Sequence, residues 1–274
     1  MGLYKLARVD SPFDPSNRFE SSYILNTYVL AGYRLLISLY CFSALIFRLA
    51  YSAKSGENAG KSFSYFTNIT YWGLAFYFLF AGFHTFQYAR YGQAPLQRWP
   101  KILQFLHSLY YSTIVLFPFL VTAVYWLDSR ELLAPEQGFH TVYDAWSNIS
   151  VHAMNSLWAV LEIFLSRVGP MPWIHIPFLI LFLAGYLAVA YITKATQGFY
   201  TYDFLDPNTD GPKKVAVYVF GIAIGICILF AIIVGVHWVK LWFFERVVGI
   251  DKNQFVHGGS RKRERIPGAF ESKA

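Results

Sequence analysis

Six blocks of apolar residues alternate with polar connections along the chain, each at least as long as the ~20 residues that cross a bilayer core. They fall at residues 28–50, 61–91, 102–127, 145–165, 173–192 and 215–244. None shows the period-2 alternation of a barrel strand. The pattern predicts an all-α, polytopic membrane protein built as a six-helix transmembrane bundle. Residues 1–26, which include SPFDPSNRF, read as a polar extramembrane arm, 27–244 as the transmembrane domain and 245–274 as a basic flexible tail. Neither an internal repeat nor a second domain is visible. Pro118 predicts a kink in the third helix. The second block carries a knot of polar residues near its start: Ser64, Thr67, Asn68 and Thr70. Polar groups in hydrocarbon are costly unless paired or used.

Composition agrees with a membrane protein. Only 14% of the 274 residues are charged and 55% are hydrophobic, against about 25% charged in a soluble domain. The net charge of +7 sits in the tail and at helix ends, so it marks cytoplasmic flanks and not a nucleic-acid partner. With the N-terminus inside, Lys5, Arg8, Arg18, Arg90, Arg98, Lys101, Arg167 and the tail share the cytoplasmic face. Arg48, Lys54, Lys61, Arg130, Lys194, Lys213 and Lys214 lie opposite. The bias places both termini in the cytoplasm. Arg34, inside the first helix, is expected to snorkel in preference to pairing. Cys41 and Cys227 lie in apolar blocks and read as inert thiols. The start, MGLYKLARVD, lacks a signal-peptide pattern, and Leu6 breaks the myristoylation pattern. The tail's RKRER resembles an arginine-type endoplasmic reticulum signal, which favours that membrane first and the plasma membrane second.

The second, fourth and sixth helices run in the same direction. Thr67 and His152 therefore lie at matching depth, roughly 7–11 Å below one face. Asn148, His152 and Asn155 line one side of the fourth helix. Spacing alone leaves His152 open between a working base and a histidine that bridges helices, and Thr67 between a nucleophile and a helix cap. The other histidines (His84, His107, His140, His175, His237, His257) form no box at helical spacing. Of these, His84 and His107 form the pair that the topology brings closest. No metal and no cofactor is expected, and no phosphate-binding or serine-hydrolase signature is present. The sequons NIT at 68–70 and NIS at 148–150 lie within predicted membrane and read as polar lining.

Several short motifs now fall in order. SYFT ends in Thr67. WSNISVH holds Trp146, Asn148 and His152, with Glu162 beyond it on the same helix. Arg130, Glu131 and Pro135 fall in the loop between these motifs, and GFYTY runs from Gly198 to Tyr202. Over roughly residues 60–205 the chain resembles a fungal-type member of the androgen-inducible protein family, the transmembrane threonine hydrolases related to the androgen-dependent TFPI-regulating protein. Ile149 stands where that family has the first histidine of a pair, and Ser64 where it has a basic residue. A register aligning HAMN (152–155) with the family's histidines loses the matches at Trp146, Asn148 and Glu162.

The resemblance implies an intramembrane hydrolase of lipid esters such as fatty acid esters of hydroxy fatty acids. Thr67 would be the nucleophile and His152 its base. Asn148 and Asn68 are candidate oxyanion donors, Thr70 and Asn155 polar lining, and Arg130, Glu131, Tyr200 and Tyr202 loop residues near the site. Glu162 is about 15 Å along the helix from His152, and Asp144, Asp203 and Asp206 are candidate orienters. The expected partners are a lipid substrate and the bilayer. The rival readings are a non-enzymatic transporter or lipid-binding protein, and a haem or metal redox protein.

Overall fold

A computed structural model of the chain describes residues 2–128 and 139–250. Arg130, Glu131 and Pro135, and the tail from 251 onward, lie outside the described residues. A short helix α1 (Leu3–Leu6) opens the arm. The bundle follows: α2 (Thr27–Lys54), α3 (Phe66–Tyr91), α4 (Lys101–Ile114), α5 (Phe117–Asp128), α6 (Val142–His152), α7 (Met154–Leu165), α8 (His175–Gln197) and α9 (Pro207–Trp242). No strand occurs among the described residues.

Local chemistry sets the ends of these helices. The Asn26 side chain accepts from the Tyr28 N–H and starts α2. Gly92, at φ 70°, closes α3 in the left-handed conformation, which glycine adopts without a Cβ penalty. The predicted third helix is two pieces. Its break falls at Val115–Leu116, just ahead of Pro118, whose ring excludes a helical carbonyl four residues back. The predicted fourth helix is also two pieces, broken at Ala153 with φ −122° and ψ −51°.

Four stretches among the described residues are long and apolar enough to cross a membrane: Thr27–Lys54, Lys101–Trp126, His175–Gln197 and Gly211–Val247. The six-helix expectation is met at these four. Helix α3 has the length, but its polar first turns and its tyrosines lower its hydropathy. The break at Ala153 leaves α6 and α7 each too short.

Helices α2 and α3 pack along each other. A Cβ on Gly82 would lie 2.8 Å from Leu35 Cδ2 and 3.3 Å from the Leu35 nitrogen, so only glycine permits this approach. At the arm's end of the bundle, Arg34 departs from expectation. It is fully buried and holds Glu162 with both carboxylate oxygens, Nη2–Oε1 at 2.5 Å and Nε–Oε2 at 3.1 Å. Its Nη1 donates to the Phe19 carbonyl at 2.7 Å, and Tyr77 donates to Glu162 at 3.2 Å. Snorkelling fails because the arm covers the route to water. A charge shut away from water needs a partner.

The arm is therefore part of the packed structure. Ala7, Val9 and Phe13 bury against Leu96, Phe105 and Leu109. Arg8 donates to the Pro170 carbonyl at 2.9 Å, and Arg167 donates to the Ser16 carbonyl at 3.1 Å.

Candidate functional site

Tyr65 is the N-cap of α3, and its side chain makes no capping bond. The first turn, Phe66-Thr67-Asn68, therefore presents N–H groups that its own helix cannot satisfy. The segment before it is pinned to α8. Tyr186 donates to the Ser64 carbonyl at 3.0 Å, and Thr193 donates to the Ser64 hydroxyl at 3.1 Å. Thr67 is the second residue of α3 and is 7% exposed.

His152 ends α6, at the break. There the Thr122 hydroxyl of α5 donates to the freed His152 carbonyl at 2.6 Å. The imidazole stacks flat on Tyr125, with ring centroids 3.7 Å apart and planes 8° apart. Its Nδ1 is buried without a hydrogen-bond partner. Ring stacking, and no carboxylate among the described residues, holds the imidazole in place. Asp206 is engaged elsewhere, capping α9 through the Asn208 N–H at 2.8 Å.

Thr67 and His152 line one cavity of about 610 Å³. Arg48, Asn68, Tyr125, Tyr186 and Tyr202 share its wall, and the rest of the lining is mostly aliphatic and aromatic, from α5, α8 and α9. Phe220 lines the cavity yet is 68% exposed, so the cavity reaches the outer apolar surface of α9. Tyr202 lines the cavity beside Tyr65 and Tyr186, with ring centroids 6.0 and 6.3 Å away. Burial raises this phenol above its ordinary value, so it is an O–H donor at neutral pH.

Several predicted lining residues are placed otherwise. Asn148 does not line the cavity; its amide donates to the Asp144 carbonyl of its own helix at 2.9 Å. Thr70 donates back to the Phe66 carbonyl at 2.9 Å, a local bond that short hydroxyl side chains make readily. Asn155 faces α5: its Oδ1 lies 3.1 Å from the Thr122 hydroxyl and its amide donates to the Pro118 carbonyl at 3.5 Å. Tyr200 stands outside the cavity, with Lys194 Nζ 4.6 Å from its ring centroid. Asn68 does line it, between Arg48 Nη1 at 2.7 Å and the Ser62 carbonyl at 3.0 Å.

The sequence reading missed Arg48, Tyr125 and Tyr186. Arg48 was visible only as a flanking charge, and the tyrosines carry no motif. His84 and His107 do approach, with ring centroids 5.6 Å apart. No group of three or more metal-ligating side chains forms among the described residues.

The sequence matches the FAR-17a/AIG1-like protein family over residues 33–238. The chain belongs to that family. The matched span contains every residue that lines the cavity. Members are membrane proteins, and the family is associated with hydrolase activity. No curated protein and no solved structure matches the chain.

Proposed function

We propose that this family member is an intramembrane lipid-ester hydrolase with Thr67 as nucleophile and His152 as general base. One observation carries the reading: a buried threonine at a helix N-terminus and a histidine with no carboxylate partner among the described residues line the same largely apolar cavity. In acylation, His152 takes the Thr67 hydroxyl proton as Oγ bonds to the ester carbonyl carbon. The carbon–alkoxy bond then breaks, and the leaving alkoxide takes the proton from His152. In deacylation, His152 takes a proton from water, whose oxygen attacks the acyl-threonine. Thr67 recovers its proton, and a carboxylic acid is released.

The first-turn N–H groups of α3 and the Tyr202 hydroxyl are the oxyanion donors in this reading, in place of Asn148. An acyl chain reaches the site from the lipid at α8 and α9, which keep most of their apolar surface outward. Fatty acid esters of hydroxy fatty acids are the proposed substrates. The fuller architecture belongs to the same proposal. Helix α3 and the α6–α7 pair also cross the bilayer, giving six passages, both termini are cytoplasmic, and the endoplasmic reticulum is the membrane. The arm, the bundle and the tail remain its three divisions.

The test is labelling of the purified chain with a fluorophosphonate probe. Wild type is expected to label, and Thr67→Ala and His152→Ala to lose labelling by at least about 10²-fold, the lower end for general-base help. Equal labelling of all three would leave a lipid-binding cavity without this chemistry.

A further inference from the structure

Arg48 sits near the C-terminal end of α2 and is half-buried in the cavity wall. Two helices hold its guanidinium. Nε donates to the Ser147 hydroxyl of α6 at 2.8 Å, and Nη1 donates to Asn68 Oδ1 of α3 at 2.7 Å. The Tyr143 hydroxyl is a third neutral neighbour. These partners orient the cation and supply no counter-charge.

The bundle's other buried cations are each held by groups of the protein away from this cavity. Arg34 faces Glu162, Lys240 Nζ donates to three backbone carbonyls at 2.7–3.0 Å, and Arg167 donates to the Ser16 carbonyl and the Ser21 hydroxyl at 3.1 Å. The ion pairs among the described residues are Arg18–Glu245 and Arg34–Glu162, so no described carboxylate lies within 4.0 Å of Arg48. A guanidinium has five donors in a planar fork, matched to the two oxygens of a carboxylate. Beside an apolar cavity, such a cation is stabilised most by an anion brought in with the ligand. One isolated guanidinium matches one negative charge, which fits a carboxylate better than a phosphate monoester.

We propose that Arg48 is the carboxylate-recognition residue of this cavity: it binds the ionised headgroup of a long-chain acid whose hydrocarbon lies along α5, α8 and α9. The proposal concerns binding and does not require Thr67 to be a nucleophile. An ester ligand with a free carboxylate on its other arm would be oriented by the same contact.

The test is displacement of a fluorescent long-chain carboxylate from the detergent-solubilised full chain, carried out on Thr67→Ala so that no ester probe is turned over. Oleate is expected to displace the probe at least about tenfold more tightly than methyl oleate or oleyl alcohol. Arg48→Gln should abolish that preference and Arg48→Lys should keep part of it. Equal displacement by oleate and methyl oleate overturns the proposal even if Arg48→Gln fails to fold. So does a full acid preference in a folded Arg48→Gln, or tighter displacement by dodecyl phosphate than by dodecanoate. Because Thr67 is absent, failure of the hydrolase reading leaves these outcomes unchanged.

Discussion

At the scale of the residue, the proposed chemistry falls to some side chains of the cavity wall, while others only hold the bundle together. Tyr202 and Asn148 make the contrast testable. Tyr202→Phe removes one proposed oxyanion donor and is expected to lower ester turnover by about 10²-fold, in the range for such a donor. Asn148→Ala removes a bond to its own helix and is expected to change turnover by less than about threefold, as small local side-chain bonds do. Steady-state hydrolysis of a chromogenic ester separates the two. Glu162 is a wall residue. Removing it strands Arg34 in the interior, so Glu162→Ala should destabilise the bundle by about 3–5 kcal/mol, measured by denaturant unfolding in detergent. The matching depth of Thr67 and His152 was legible in the sequence, because helical rise fixes depth without any knowledge of packing; the roles proposed for them came from the family resemblance. The roles of Arg34 and Arg48 were not legible. A lone arginine in an apolar block looks the same whether it snorkels, pairs or faces a cavity, and only tertiary contacts distinguish these.

At the scale of the element, breaks in helices build the site. Pro118 announced the first. The second, at Ala153, has neither proline nor glycine, and it is stabilised by Thr122 taking up the freed His152 carbonyl. No local pattern encodes a break whose support comes from another helix. That break ends α6 on His152 and sets the ring against Tyr125. Thr122→Val should unsettle it, with loss of turnover exceeding loss of stability. A second element-scale feature is the close crossing of α2 and α3. Gly82→Ala drives a methyl into Leu35 and is expected to cost about 1–3 kcal/mol, as overpacking does. Thermal unfolding of the purified chain measures it, and Gly82→Ala combined with Leu35→Ala should recover part of the loss.

At the scale of the whole molecule, the arm closes the end of the bundle remote from the Thr67 cavity. Glu20 is fully buried there, accepts from Gln97 at 3.0 Å and is pushed up to about 8 by burial and the neighbouring Asp14 charge. Its folded value lies above its unfolded value of 4.5, so the protonated form favours the seated arm. That contribution is complete below about pH 4.5 and is lost as pH rises through about 8. Limited proteolysis of the arm should accelerate across that window, and Glu20→Gln should flatten the dependence. The apolar blocks were enough to establish a helical membrane bundle. They did not show that a polar, turn-rich arm packs into it, because the arm's affinity for the bundle resides in long-range contacts such as Arg167 to Ser16.

The central claim is that Thr67 carries the acyl group, and the most direct measurement is peptide mapping by mass spectrometry after fluorophosphonate treatment of the wild-type chain. The expected result is a single phosphonate adduct on the Thr67 side chain, absent when His152 is replaced by alanine. An adduct on a different hydroxyl, or the same Thr67 adduct at an undiminished rate in His152→Ala, would contradict the account.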